Sequence, residues 1–169
     1  MLPPISTYIH TEPFRALHPT HDLTLYLNSI WQRYFSDVPH ANDVQIAYCR
    51  PWKSRLGLIR MSLDSTHSFI GINTLLQHEE VPDTILVTTI AHELVHYTHG
   101  FGSPLPQLYE HPHANNVVEN ELERRGLSTA LFACNQWIEE YWYDFYKTQR
   151  EARNVTDMKR SIVRQQKAG

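Results

Sequence analysis

The sequence predicts an α+β fold: an N-terminal helix, a small three-stranded antiparallel meander, then a helix rich in histidine and two further helices. Three observations carry this. Leu23, Leu27, Ile30, Trp31 and Tyr34 recur at helical spacing between His21 and Asp37. Three short runs of β-formers follow, Val44 to Cys49, Leu56 to Leu63 and Ser68 to Ile72, separated by short turn signals at Pro51 to Ser54 and Asp64 to Thr66. From Pro82 onward the spacing returns to three and four.

Taken in order, Pro3, Pro4 and Pro13 keep residues 1–20 irregular. Residues 21–153 read as one domain, and 154–169 as a basic C-terminal tail. Pro82 favours a helix start, and Ile85, Leu86, Ile90, Leu94 and Tyr97 mark its buried stripe to about Thr98, where Gly100 and Gly102 stop it. Phe101 to Pro112 carries three prolines and no period, so it is a loop. A helix from His113 to Arg125 uses Val117, Val118 and Leu122 and closes at Gly126. The last, Ser128 to about Arg153, places Phe132, Trp137, Tyr141, Trp142, Phe145 and Tyr146 in a stripe that reads mostly as core packing.

Composition excludes little but constrains partners. In 169 residues, 41% hydrophobic and 20% charged, an ordinary apolar core is expected without staples. Cys49 and Cys134 stand alone and read as buried thiols, since neither lies in Cys-x-x-Cys spacing. No leader pattern or membrane-length apolar run occurs, so a cytosolic protein with no membrane contact is expected. From Lys147 onward seven Lys or Arg face two acids, a local +5 that leaves −8 for the remainder of the net −3. Such a tail can meet the phosphates of DNA, or be only a solvated helix end.

Chemistry concentrates in His92-Glu93-Leu94-Val95-His96. Two histidines four apart on a helix project from one face, a turn apart, as two zinc ligands require. Glu93 is then placed to act as general base on a water whose pKa zinc lowers, and to pass the proton to a leaving amine. A catalytic zinc takes a third protein ligand, and the residues leave several candidates: His111 and His113 after the proline-rich loop, or Glu119 and Glu123 on the next helix. His99 lies on the same face a turn further along and reads as a cleft residue. Tyr97, Tyr109 and His111 are the candidates for stabilising an oxyanion.

The segment from Ala47 to Gly126 resembles the SprT-like domain, the metallopeptidase core of bacterial SprT proteins and the Spartan DNA-protein crosslink proteases. The matching residues are Ser54 to Arg60, Ile70-Gly71-Ile72-Asn73 with Leu76, and Thr89 to His96. The resemblance implies a zincin active-site helix, Zn2+ held by His92, His96 and a third histidine that opens a helix, and Glu93 as catalytic base. His113 matches the third place best, because Pro112 precedes it and Val117 lies four residues on. Ala114 and Val117 depart from the family's Gly and aromatic residue, and the zinc ribbon of many members is absent, so DNA binding through a ribbon does not carry over. Ala91 to His99 with Ala114-Asn115 is also similar to the ImmA/IrrE-like repressor-cleaving peptidases. The expected substrate is a protein strand laid along the meander's edge, DNA-bound proteins included. A non-catalytic zinc-stabilised binding module is the alternative from another class.

Overall fold

A computed structural model describes residues 22–167 of the chain; the irregular segment expected over 1–20 lies outside them. Helix α1 spans Leu23–Tyr34. Asp22 caps it, its side chain accepting from the amides of Thr24 and Leu25 at 3.0 and 3.2 Å. Of the expected stripe Leu23, Leu27, Ile30 and Trp31 are buried, with Tyr26 beside them, while Tyr34 at the last turn is half-buried. The helix stops three residues short of Asp37, and the Trp31 indole then donates to the Val38 carbonyl at 3.0 Å.

Strands β1 (Asp43–Tyr48), β2 (Gly57–Met61) and β3 (His67–Ile72) form the sheet, but not as a meander. Its order is β1-β3-β2, with β1 parallel to β3 and β2 antiparallel to it. The expected purely antiparallel pairing is therefore corrected to a mixed sheet. The physical reason is burial. β3 contributes Ser68, Ile70 and Ile72 with no exposure on one face and a buried Gly71 on the other, whereas β1 and β2 are only half-buried at best, and the strand that loses most water takes the centre. The segment between β1 and β2 is long enough to cross the end of β3, held there by Cys49 N–H donating to the Ile72 carbonyl (2.7 Å) and Asn73 N–H to the Leu56 carbonyl (2.8 Å).

Asn73 caps a 3-10 turn, Thr74–Gln77, and the chain enters helix α2, Asp83–Thr98. Thr84, Ile85, Val87, Thr88, Thr89 and Ile90 are β-branched and lend a helix little intrinsic support. Packing holds it instead. α1, the sheet and a later helix all lie against α2, and every residue from Thr84 to Tyr97 except His92 is buried. The single apolar stripe expected of a surface helix is thus replaced by burial nearly all round.

Four hydrogen bonds tie the parts around α2 together. The Tyr97 hydroxyl donates to Asn42 Oδ1 (2.9 Å) and accepts from the Ala41 amide (3.0 Å), Asn42 donates to Ser68 Oγ (2.8 Å), and Ser68 donates to the Gly102 carbonyl (2.7 Å). The loop after α2 is thereby fixed to the sheet. Helix α3 is Val117–Arg124, burying Val118 and Leu122.

The described chain divides into two compact units, one ending at Cys134 and one beginning at Asn135. Helix α4 (Ser128–Trp137) passes through a π-turn, Ile138–Trp142, into α5, Tyr143–Lys167. The π-turn shifts the helical phase by a residue, so Trp142 rather than Tyr141 joins Trp137 and Phe145 in the buried set. Phe132 and Tyr141 are exposed, which corrects the expected continuous stripe. The basic residues after Arg153 lie on α5, exposed throughout, so the tail expected there is helical to Lys167. No helix among the described residues is long and apolar enough to cross a membrane.

Candidate metal centre

His92 and His96 leave α2 one turn apart, and their Nε2 atoms converge to 3.1 Å. The third ring arrives from outside the helix. α2 is capped by His99, and Gly100 takes φ +81, where an added Cβ would collide with the Pro106 carbonyl. The loop folds back with Ser103 Oγ donating to the Tyr97 carbonyl (2.6 Å) and the Leu108 amide donating to the His99 carbonyl (3.0 Å). This reversal brings the ring of His113 to 4.6 Å from that of His96 and 5.4 Å from that of His92, centroid to centroid.

His113 does not open a helix, as the resemblance implied. A 3-10 turn, Ala114–Asn116, intervenes, with Asn115 and Asn116 both left-handed at φ 56, and α3 begins only at Val117. Asparagine tolerates that conformation better than other residues with a side chain, which is why the pair sits where the chain must swerve. The position of α3 is in turn fixed from the far end. Arg125 donates to Asp37 through both terminal nitrogens (2.6 and 3.0 Å), to the Tyr34 carbonyl (2.7 Å) and to Glu121 (2.7 Å), with its guanidinium 4.4 Å over the Phe35 ring.

Ligand atoms of His92, His96 and His113 all lie within 4.8 Å of one another, and this set can hold a metal ion. The donor chemistry fits. Burial, reinforced by the neighbouring imidazoles, pushes His96 down to about 3; burial and then His113 push His92 down to about 4, against an opposing pull from Glu119. Both rings are therefore neutral near pH 7, the form that offers a lone pair. Four ligands at about 2.0–2.1 Å in a tetrahedron stand roughly 3.4 Å apart, close to the 3.1 Å between the two helical nitrogens. Two facing Nε2 atoms need either one shared proton or one shared cation between them.

Glu93 sits one residue along the same turn, only 5% exposed. Burial raises its carboxyl to about 8, with Arg55 pulling the other way. Its Oε1 occupies the space a side chain at Gly57 would fill, which places the carboxyl against the first residue of β2.

The remaining candidates fall elsewhere. His111 is exposed and beside Glu110, at 3.8 Å. Glu119 is near enough to act on His92 electrostatically, while Glu123 is exposed. His99 is buried, its ring edge-on to Tyr109 at 4.8 Å, and its Nδ1 has no hydrogen-bond partner. The Tyr97 hydroxyl is committed to the Ala41 amide and the Asn42 side chain. Of the two cysteines, Cys134 is buried and Cys49 half-buried, both as free thiols. Sequence reading missed Gly57 and Arg125 as determinants of the site. A glycine inside a strand was the available signal for the first, because it marks close approach by another group.

No family model matches the chain, and no curated protein matches it either.

Proposed function

We propose that the chain is a zinc-dependent metalloendopeptidase of SprT-like type. One observation carries this: His113, delivered by a loop, meets His92 and His96 in one cluster, and the buried carboxyl of Glu93 follows the first of them on the same helix. Three imidazoles with a neighbouring carboxylate that is not itself among them is the composition of a hydrolytic zinc site rather than a closed structural one. His92, His96 and His113 would hold Zn2+, which when bound would lower the pKa of a water and polarise a scissile carbonyl.

Glu93 accepts the proton of that water and returns it to the leaving amine. Burial raises the carboxyl to about 8 and Arg55 pulls the other way; a Zn2+ held beside it would add to the pull of Arg55 toward the ionised form that accepts a proton. The substrate enters as an extended strand along the outer edge of β2. The Ser62 amide donates inward to His67 and the Leu56 carbonyl accepts inward from Asn73, so alternation turns the amides and carbonyls of Gly57, Ile59 and Met61 outward. A peptide pairing there runs past Glu93.

The same reading places the protein in the cytosol and takes proteins associated with or crosslinked to DNA as substrates. The basic side chains of α5, from Lys147 to Lys167, support this as a phosphate-contacting surface. The test is metal analysis with cleavage of casein, with and without chelator and with and without DNA. One zinc per chain and chelator-sensitive cleavage are expected, with Glu93→Gln keeping the zinc while turnover drops by about 10²- to 10⁴-fold. Undiminished turnover in Glu93→Gln would end the mechanism. Bound zinc without any chelator-sensitive cleavage would move the chain to the non-catalytic module.

A further inference from the structure

Gly57 and Asn73 do something in this fold that neither strand propensity nor the histidine cluster requires. A Cβ built on Gly57 would lie 2.7 Å from Glu93 Oε1, 3.2 Å from Glu93 Cγ and 2.9 Å from Thr89 Cγ2. Thr89 has no freedom to turn away, because its hydroxyl donates to the Ile85 carbonyl at 2.6 Å in a buried position. The backbone at Gly57 lies outside the left-handed region, so conformational freedom is not what the glycine supplies. It supplies room.

Asn73 fixes where that room is. Its side chain has no exposure, and its amide group donates to the carbonyls of Trp52 and Arg55, both at 2.8 Å, while Oδ1 accepts from the Leu75 amide at 3.0 Å. With its own N–H on the Leu56 carbonyl, one residue pins the segment that leads into Gly57 at three points.

We propose that Gly57 is the seat of the Glu93 carboxyl and that Asn73 holds this seat in place, making both positioning residues for the general base. This rests on the peptidase reading for its kinetic consequence, but its steric content stands apart from it. An added methyl group at 57 moves the Glu93 carboxyl away from β2 and leaves the histidines untouched. Displacement of a catalytic group by about 1 Å costs up to about 10²-fold.

The experiment compares wild type, Gly57→Ala and Asn73→Ala as full-length, zinc-loaded protein. Gly57→Ala is expected to bind zinc with unchanged stoichiometry and to melt below wild type, because Thr89 cannot yield as the Glu93 carboxyl can. Its kcat falls about 10- to 100-fold while KM changes little, and a crystal structure shows Glu93 Oε1 shifted from its place beside β2. Asn73→Ala, with its loop released, shows a smaller fall in kcat. If Gly57→Ala is unstable, adding Thr89→Ser removes the methyl contact at 2.9 Å and restores folding without restoring the place of the carboxyl. A folded Gly57→Ala with wild-type kcat, or with Glu93 unmoved beside the alanine, overturns the proposal. If wild type has no chelator-sensitive cleavage, the peptidase reading fails instead, and the position of Glu93 in the Gly57→Ala crystal still decides the steric claim.

Discussion

Two routes bring histidines to one point in this molecule, and they differ in what holds them. His92 and His96 ride on α2, the element that α1, the sheet and α3 all pack against, so their separation is a property of helix geometry and their direction a property of the core. His113 is exposed and precedes two left-handed asparagines; its place depends on the loop from Phe101 to Pro112 and on where α3 is anchored. A site built this way has a rigid half and an adjustable half. Damage to the first should abolish metal binding, and damage to the second should grade it.

The largest expected effect tests that asymmetry directly. His96→Ala should lose zinc altogether in a titration against a competing chelator, whereas His113→Ala should keep a weakened site. The expected weakening exceeds the 10- to 100-fold that loss of an outer-shell partner typically costs. Equal losses in the two variants would mean that the loop is as rigid as the helix.

Next comes the anchor. The Arg125 side chain is 4% exposed, and Arg125→Ala leaves the Tyr34 carbonyl and Glu121 without that donor, so a loss of about 2–3 kcal/mol in urea unfolding is expected. Zinc affinity at the proposed site should weaken with it, because α3 sets the position of His113. Acid should uncover part of the same contact. The hydrogen bonds from Arg125 hold Asp37 below the usual carboxylate range, so the stability this contributes is present at neutral pH and lost as pH falls through the lowered value. Asp37 itself is 63% exposed, and solvent screening keeps that part small. In Arg125→Ala the pH dependence from this pair should vanish.

How much was legible in the sequence follows the same division. The helix of His92, Glu93 and His96 could be read because spacing of three and four is local, and α1 was legible for the same reason. Placing β3 in the middle of the sheet could not be read from turn lengths. It follows from which strand loses most water, a comparison among all three that neighbouring residues do not reveal. The resemblance pointed to His113 over His111 for the third place, while the residues alone left both open. What went unread was the turn between His113 and Val117: apolar spacing through Val117, Val118 and Leu122 continues backward smoothly, and the Asn115-Asn116 pair that interrupts it was the signal passed over. The π-turn at Ile138–Trp142 escaped for a related reason, since an i+5 step breaks the period on which the aromatic stripe was drawn.

The smallest expected effect lies in that turn and separates geometry from side-chain chemistry. Neither Asn115 nor Asn116 belongs to the ligand set, and both hold φ 56. Asn116→Ala places a Cβ in the left-handed region without the local polar contacts that help asparagine there, at about 1–2 kcal/mol. Asn116→Gly removes the steric cost and should stay close to wild type in urea unfolding and in zinc affinity. Alanine should therefore lower zinc affinity in step with stability while glycine leaves both nearly unchanged. If glycine weakens zinc as much as alanine does, the asparagine side chain takes part in holding His113, and the adjustable half of the site is more tightly specified than its backbone suggests.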